Sequence, residues 1–378
     1  MKSEIRIDLV SDTATRPTVA MREAMARAPV GDESRGEDPS VNALCRRVAE
    51  LTGKDAAIFL PSGTMCNQIA ILVHCRHGDE ILTATDSHIV NSEGAGAAAL
   101  AGAFIRELPS ERGMFEPAAL LEAVQPKSYA RAPRTSLVTV EQTHNAGGGS
   151  VWPLTRLETV SQAARSEGLK LHMDGARLLN AVVASGTTAR AYADAVDSVW
   201  IDFSKGLGCP IGAALAGSHA FIKEAWIWKL RLGGGMRQAG IMAAAGIHAL
   251  DHHVRRLAED HANAQLLAGA LRDIPGIEIV LTPVETNLLF FSLAPDIVTA
   301  EQLATGLLAK GIRIGVEGPA TMRAVTHIDI SRADILEAAD VIREVMAGAR
   351  RTSAAGSAGP PPGLRSNCRC GSLPLQQG

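Results

Sequence analysis

The sequence lacks the features that would place it with membrane, secreted or nucleic-acid-binding proteins. Its longest apolar stretch, around residues 94–105, is well short of the ~20 residues that a membrane-spanning helix needs. Its first residues alternate in charge where a secretory signal would have an apolar core, and no long block of like charges interrupts the chain. The formal net charge is -3. We therefore expect a cytoplasmic protein whose partner is a small molecule, not nucleic acid or a membrane.

Cysteine is scarce and shows no metal-ligand spacing in the body of the chain, which is typical of reduced thiols in a cytosolic enzyme. Two further cysteines, Cys368 and Cys370, lie in a segment rich in Ser, Ala, Gly and Pro. This composition predicts a disordered tail over residues 348–378. Two cysteines do not complete a metal site, and His248 and His252, at helical spacing, have no acidic or cysteine partner. We predict that the protein binds no metal.

The chain has enough apolar residues for a large core, since 46% of its 378 residues are hydrophobic. Apolar β-rich runs alternate with helical patterns, which predicts an α/β fold with a mostly parallel central sheet. The predicted strands cover residues 56–60, 80–84, 135–141, 169–174 and 198–204, with two more at 287–293 and 323–330.

The same patterns predict how the chain divides. A large domain would cover residues 1–250, and a smaller C-terminal α/β domain would cover residues 251–347. A long helical pattern with few breakers, over residues 236–271, would bridge the two. The last helix would begin at a capping box formed by Ser331 and Asp334.

Lys205 and Asp174 indicate a candidate cofactor site. Lys205 ends an apolar run and precedes a Gly-rich turn, where a lysine amine can form a Schiff base with an aldehyde cofactor. Asp174 ends a predicted strand upstream and would keep a pyridinium nitrogen protonated. The pairing favours pyridoxal phosphate. Taken singly, Lys205 could be a loop lysine and Asp174 a helix cap.

A phosphate site is predicted at Gly63 and Thr64, which precede an apolar helical stretch. Backbone amides at a helix start attract phosphate, although Ser-Gly-Thr is also an ordinary capping turn. His88 and His144 each follow a predicted strand at the edge where ligands bind, and either could act in proton transfer or be structural.

Three residues are candidates to bind a substrate carboxylate, for which a guanidinium is the best matched side chain. They are Ser11, Arg177 and Arg323. Either arginine could instead be a surface charge.

The chain contains eight short blocks in a fixed order. The blocks are Leu9-Val10-Ser11-Asp12-Thr13, Gly36-Glu37-Asp38-Pro39, Ser62-Gly63-Thr64-Met65, Thr143-His144-Asn145, His172-Met173-Asp174-Gly175-Ala176-Arg177, Ser204-Lys205-Gly206-Leu207, Gly233-Gly234-Gly235-Met236-Arg237-Gln238 and Val325-Thr326-His327. Together they resemble the low-specificity L-threonine aldolases, which are pyridoxal-phosphate enzymes of the aspartate-aminotransferase fold type, fold type I. The resemblance runs from about Ile7 to Ala347.

The resemblance implies a role for each candidate. Lys205 would be the Schiff-base lysine, Asp174 the partner of the pyridine nitrogen, and His88 would stack on the ring. Other implied positions are Gly63 and Thr64 at the phosphate, Ser11, Arg177 and Arg323 at the substrate carboxylate, and His144 near the β-hydroxyl. Such enzymes are usually homotetramers whose sites a neighbouring subunit completes, so Arg237 would contact the cofactor across an interface.

Three positions depart from the family pattern. Arg35 replaces a Tyr that usually precedes Gly-Glu-Asp, and Asn91 and Ser92 replace aromatics that usually follow the stacking histidine. All three would lie near the substrate. We expect a roomier, more polar pocket, in which Arg35 could favour a second anionic group on the substrate or aldehyde.

The implied activity is retro-aldol cleavage of threonine, allo-threonine or a related β-hydroxy-α-amino acid to glycine and an aldehyde, with His144 or His88 as the base. Two alternatives stay open. Another pyridoxal-phosphate reaction, β-elimination or transamination, would use the same cofactor residues, because fold does not fix function. The second alternative is a non-catalytic protein on the same scaffold. The presence of both Lys205 and Asp174 argues against it.

Overall fold

The computed structural model of the protein describes the backbone of residues 4–357. Cys368 and Cys370, and most of the predicted tail, lie outside this range. The last helix extends to Ser357, past residue 347, where we predicted the small domain to end. Alanine and arginine, which are frequent just after residue 347, favour helix, whereas the prediction gave more weight to the Ser, Gly and Pro that follow.

The larger of two sheets forms the centre of the molecule. In chain order its strands are β2 (Ala56–Leu60), β3 (Asp79–Ala84), β4 (Phe104–Leu108), β5 (Arg134–Glu141), β6 (Lys170–Asp174), β7 (Ser198–Asp202) and β8 (Ala213–Gly217). They are arranged β2-β8-β7-β6-β5-β3-β4. Strands β4, β3, β5, β6 and β7 are parallel neighbours, and β8 is antiparallel to both β7 and β2. The predicted mostly parallel sheet is confirmed.

The second sheet contains β1 (Ile7–Leu9), β9 (Ile277–Val280), β10 (Leu288–Leu293), β11 (Ile312–Val316) and β12 (Thr321–Val325), arranged β1-β11-β12-β10-β9. Strand β1 pairs in parallel with β11, so that Ile7 lies opposite Ile312. The amino terminus therefore belongs to the second sheet, whereas we predicted that residues 1–250 form one domain. Both Ile7 and Leu9 are buried in the core of this sheet, which explains why β1 joins it.

Helices cover both faces of the central sheet and one face of the second. They are α1 (Val19–Ala26), α2 (Pro39–Thr52), α3 (Gly63–His74), α4 (His88–Asn91), α5 (Gly96–Ala101), α6 (Pro117–Ala123), α7 (Leu154–Ser166), α8 (Leu178–Ser185), α9 (Ala189–Asp194), α10 (His219–Arg231), α11 (Gly240–His252), α12 (Leu257–Arg272), α13 (Ala300–Ala309) and α14 (Arg332–Ser357). Helix α14 begins at the predicted capping box: the Asp334 amide donates to Ser331 Oγ at 3.2 Å, and the Ser331 amide donates to Asp334 Oδ2 at 2.8 Å.

The single long helix predicted over residues 236–271 is two helices, α11 and α12. Between them, the Leu257 amide donates to the Val254 carbonyl at 3.2 Å, which replaces the normal helical bond by a tighter one. The break places His253 against the Leu207 carbonyl, 2.8 Å from Nδ1. No Gly or Pro marks this break, so the sequence pattern did not reveal it. Within the described residues, no helix combines the length and apolar character that crossing a membrane requires.

Candidate active site

A cavity of about 290 Å³ opens at the carboxyl ends of β5, β6 and β7, which is where open α/β sheets bind ligands. The strand register brings Glu141, the last residue of β5, opposite Asp174, the last residue of β6. The start of α3, the segment after β1 and strand β12 complete the walls. Eight of the predicted site residues line the cavity: Ser11, Gly63, Thr64, His88, Asp174, Arg177, Lys205 and Arg323.

Lys205 reaches the cavity from the loop after β7. A tight turn holds this loop, because the Gly208 amide donates to the Lys205 carbonyl at 2.9 Å and Gly208 has a φ of 75°, a conformation that favours glycine. The Thr15 hydroxyl donates to the same carbonyl, also at 2.9 Å. The Lys205 side chain is 18% exposed, and its Nζ lies 3.5 Å from Asp202 Oδ2. The amine is thus half-buried, and the Asp202 carboxylate lies beside it.

Asp174 presents a buried carboxylate to the cavity. Its Oδ2 accepts a hydrogen bond from Asn67 Nδ2 at 2.7 Å, and its Oδ1 accepts one from the Ala176 amide at 3.0 Å. Burial raises the pKa of Asp174, although the positive charge of Lys205 and the hydrogen bond from Asn67 oppose this. A cationic N–H group bound in the cavity would therefore keep Asp174 ionised.

The start of helix α3 forms an anion site in the cavity wall. Ser62 caps the helix, with its Oγ accepting from the Met65 amide at 3.2 Å, and Gly63 and Thr64 face the cavity. The first amides of a helix have no acceptor within the helix, and the helix dipole favours an anion there. Only glycine fits at position 63, because a Cβ would lie 2.2 Å from the Trp200 ring.

Arg177 is held in the cavity wall by a buried ion pair with Asp12. Its Nε and Nη2 donate to the two Asp12 oxygens at 2.7 and 2.8 Å, and Asn287 Nδ2 donates to Asp12 at 3.1 Å. Burial raises the pKa of Asp12, but the charge and hydrogen bonds of Arg177 outweigh burial and lower it. Only Nη1 of Arg177 is not bonded to Asp12, and it lies 3.3 Å from Asn145 Oδ1.

Arg323 reaches the cavity from β12 and is less firmly paired than Arg177. Its Nη2 donates to the Val10 carbonyl at 3.3 Å, and its Nε lies 3.1 Å from Glu317 Oε1 without the alignment of a hydrogen bond. Ser11, beside Val10, accepts the Thr13 amide at 3.2 Å. Arg323 and Ser11 therefore converge on the same side of the cavity.

His88 stands at the first position of α4, where two carboxylates hold it. Its backbone amide donates to Glu141 Oε1, and its Nδ1 lies 2.9 Å from Glu93 Oε1. The hydrogen bond with Glu93 raises the pKa of His88, against the opposite effect of burial. The His88 ring faces the cavity and is 33% exposed, so it can meet a ligand.

His144, predicted near the substrate hydroxyl, does not line the cavity. The ring is 1% exposed, because the loop after β5 turns it inward against Gly113. His144 Nδ1 accepts the Gly147 amide at 3.0 Å, so the ring proton of neutral His144 is on Nε2. Nε2 lies 3.8 Å from Glu141 Oε2 and has no hydrogen-bond partner. Neither nitrogen is placed to accept a proton from a ligand.

Arg35 and Arg237, two other predicted site residues, lie together on the surface. Their side chains are 73% and 71% exposed, and both approach Asp32, at 3.8 and 3.4 Å. In a single chain neither residue lines the cavity.

Several polar residues of the site were not predicted. Glu93 is the only charged residue between positions 89 and 105, and a lone carboxylate in an apolar stretch usually has a buried partner, so a sequence signal for it existed. Asn67 likewise interrupts an apolar helix. Trp200 and Glu141 lie within predicted strands and carry no comparable signal.

The described residues contain one group whose donor atoms are close enough to bind a metal ion, namely His88, Glu93 and Asp174, whose ligand atoms lie within 4.8 Å of one another. Asn67 Nδ2 lies 2.7 Å from both carboxylates, and Gln68 Nε2 lies 2.6 Å from Glu93. These N–H donors occupy the carboxylate oxygens and oppose a cation.

The sequence matches the beta-eliminating lyase family over residues 8–294. It is 42% identical to the low specificity L-threonine aldolase of Escherichia coli (strain K12) over 336 residues, which are 88% of this chain and 97% of that protein. It is 40% identical to the probable low-specificity L-threonine aldolase 2 of Arabidopsis thaliana over 333 residues, 87% of this chain and 94% of that protein.

The fold is similar to that of a solved threonine aldolase from Leishmania major. The TM-score is 0.77, with 22% sequence identity, over 90% of this chain and 99% of that chain. The predicted fold class is therefore confirmed.

Proposed function

The chain belongs to the low-specificity L-threonine aldolase family, and we propose that it is a pyridoxal-phosphate-dependent carbon-carbon lyase. It would cleave threonine, allo-threonine or related β-hydroxy-α-amino acids to glycine and an aldehyde. The observation that carries this proposal is the convergence of Lys205, Asp174 and the start of α3 on one cavity. They supply an amine, a buried carboxylate and an anion site, which match the three binding groups of pyridoxal phosphate.

Each group has a residue to hold it. Lys205 Nζ would bind the aldehyde carbon, the Asp174 carboxylate would accept the pyridinium N–H, and the amides of Gly63 and Thr64 would bind the phosphate. Arg177 lies beside Asp174 in the same wall. When bound, the cofactor withdraws electrons from the α-carbon of an attached amino acid and so stabilises the negative charge that develops there.

The substrate carboxylate would be bound by Arg323, by Ser11 and by Nη1 of Arg177, which donates to Asn145 and not to Asp12. Arg177 is already committed to Asp12 by two hydrogen bonds, whereas the partner of Arg323 is the partly exposed Glu317. Arg323 is therefore the freer guanidinium for a new carboxylate. Fixing the carboxylate orients the bonds of the α-carbon and so selects which of them breaks.

His88 is the histidine that would accept the proton of the β-hydroxyl. It faces the cavity, whereas both nitrogens of His144 are turned away from it. A histidine whose pKa lies near neutral pH can take and return a proton during one turnover.

Assembly and specificity are also part of the proposal. A homotetramer, in which a neighbouring subunit completes each site, would give the exposed Arg237 a cofactor contact and Arg35 a substrate contact. Ser92 lines the cavity of its own chain, so the roomier pocket expected from Ser92 and Asn91 would accept larger or more polar β-substituents. The cytoplasmic location stays a prediction of the sequence.

A substrate panel tests the proposal. We expect glycine and the matching aldehyde from threonine, allo-threonine, phenylserine and hydroxyaspartate, and faster turnover of hydroxyaspartate if Arg35 contacts a second anionic group. Lys205→Ala should abolish both the near-violet absorption of the purified protein and aldehyde release. Lys170→Ala is the matched control, because Lys170 is exposed and pairs with Asp197 instead.

The alternative within the same family is a β-eliminating reaction, which the description of the matching family favours. It would yield ammonia and a keto acid in place of glycine and an aldehyde. Finding those products from the same substrates, with no glycine, would overturn the proposed cleavage.

A further inference from the structure

A buried carboxylate without an assigned role adjoins the proposed base. Glu93 follows α4, and its side chain is fully buried. Its Oε1 lies 2.9 Å from His88 Nδ1 and accepts from Asn67 Nδ2 at 2.7 Å, and its Oε2 accepts from Gln68 Nε2 at 2.6 Å. A carboxylate in such a setting needs its donors, since burying an unpaired charge is costly.

The orientation of Asn67 follows from a neighbour that can only donate. The Trp200 indole N–H donates to Asn67 Oδ1 at 2.8 Å, so Oδ1 must be the oxygen and Nδ2 the nitrogen. His172 Nε2 lies 3.2 Å from the same oxygen and donates to it. The Asn67 amide therefore directs its two N–H groups at Glu93 and Asp174, which links the two carboxylates through one side chain.

These donors determine the role of His88 Nδ1. Oε1 of Glu93, the oxygen that faces His88, accepts from the Asn67 amide, whose orientation Trp200 fixes. An ionised carboxylate only accepts hydrogen bonds, so beside ionised Glu93 it is Nδ1 of His88 that carries the proton. The second ring nitrogen, Nε2, is then the one with a free lone pair. Glu141 Oε1 accepts the backbone amide of His88, so the ring and the backbone of His88 are both anchored to carboxylates.

We propose that Glu93 is the positioning residue of the proposed base: it holds the His88 ring with Nδ1 protonated and leaves Nε2 free to accept the substrate hydroxyl proton. This inference rests on the proposed function, in which His88 is that base. A carboxylate that fixes the tautomer of a histidine and stabilises its protonated form is a general device for proton transfer.

The charged groups around His88 bear on its titration. Glu93 and Asp174 favour the protonated ring, Lys205 disfavours it, and Glu141 contacts the backbone of His88. Glu93 is the group that hydrogen-bonds directly to the His88 ring. This hydrogen bond is the largest cause of the raised pKa of His88.

Two substitutions separate the charge of Glu93 from its hydrogen bond. In Glu93→Gln, the amide of the neighbouring Gln68 can turn to present its Oε1, which is buried without a partner, to the new amide N–H group. The oxygen of the new side chain then remains as the acceptor for His88 Nδ1. We expect the acid limb of the kcat/KM profile to move to lower pH. Glu93→Met removes the acceptor as well, and we expect kcat to fall about 100-fold, within the range for a misplaced general base.

Glu80→Met is the matched control. Glu80 is equally buried and accepts from Arg106 and Thr135 at 2.8 Å each, but it lies outside the cavity. Its replacement should lower stability without moving the pH profile. If neither the Glu93→Gln profile nor the Glu93→Met rate differs from that of the Glu80 control, the inference is wrong.

Neutron diffraction of the wild-type holoenzyme tests the proton position directly and does not depend on a variant that folds. We expect deuterium on His88 Nδ1. Deuterium on Nε2 alone would overturn the inference while leaving the proposed function intact. Absence of aldehyde release by the wild-type enzyme would instead overturn the proposed function, whatever the tautomer of His88.

Discussion

The ion pair between Asp12 and Arg177 makes a quantitative prediction about stability. Asp12 is fully buried and follows β1 of the second sheet, whereas Arg177 follows β6 of the central sheet. Replacing Asp12 by Asn leaves the guanidinium buried without its counter-charge. The single amide oxygen cannot replace both carboxylate oxygens, so either Nε or Nη2 of Arg177 loses its acceptor. Breaking such a pair from one side costs about 3–5 kcal/mol, most of it from the charge left unpaired.

Urea unfolding followed by tryptophan fluorescence measures this loss as a fall in the midpoint at unchanged slope. The control is Glu344→Gln, which breaks the exposed pair with Lys310 and should cost less than about 1 kcal/mol. The double variant Asp12→Leu with Arg177→Met should recover much of the loss, because a buried pair can be replaced by apolar side chains at little cost. Two results would refute this account: a loss below about 1 kcal/mol for Asp12→Asn, or a double variant that loses as much stability as the single variants Asp12→Leu and Arg177→Met added together.

Two further predictions rest on packing and on titration. Gly63→Ala should weaken cofactor binding, measured by titration of the apoenzyme, because a Cβ there would meet Trp200 at 2.2 Å. Gly269→Ala is the control: nothing lies within 4 Å of its Cβ, so it should instead stabilise helix α12 by about 0.5–1 kcal/mol. Equal cofactor binding by the two variants would contradict the packing argument. Burial lowers the pKa of His172 to about 3 and that of His74 to about 4, below the ~6.5 of the unfolded chain. Below about pH 6.5 the native state then binds fewer protons than the unfolded state. The free energy of unfolding should therefore fall with decreasing pH, by about 1 kcal/mol per histidine between pH 7 and 5.5. A urea midpoint that does not change over this range would contradict this prediction.

The sequence predicted the central strands well because their apolar runs are long and bounded by turns. Strand β8 was missed: it consists of small residues that lack the β-branched and aromatic signature of strands. Strand β1 was missed because a three-residue strand carries almost no pattern of its own, and its pairing with β11 depends on residues far along the chain.

Most of the predicted site residues that line the cavity end or follow a strand, or open a helix, at the ligand-binding edge. Lys205, Asp174 and Gly63 are of this kind. His144 follows a strand too, but the orientation of its ring is set by Gly147 and Gly113, which strand position does not reveal. Glu93 stands out in the sequence as a lone carboxylate in an apolar stretch, but its contacts with His88 and Asn67 form only in the folded chain.

The position of β1 affects when the site can form as the chain folds during synthesis. Ser11 and Asp12 reach the cavity because Ile7–Leu9 pairs with Ile312–Val316, which the ribosome synthesises about three hundred residues later. The nascent chain cannot complete this wall until Val316 has emerged, and such a distant closure slows folding. A chain released before residue 312 would carry Lys205 and Asp174 on the central sheet but would lack the strand that brings Asp12 to Arg177.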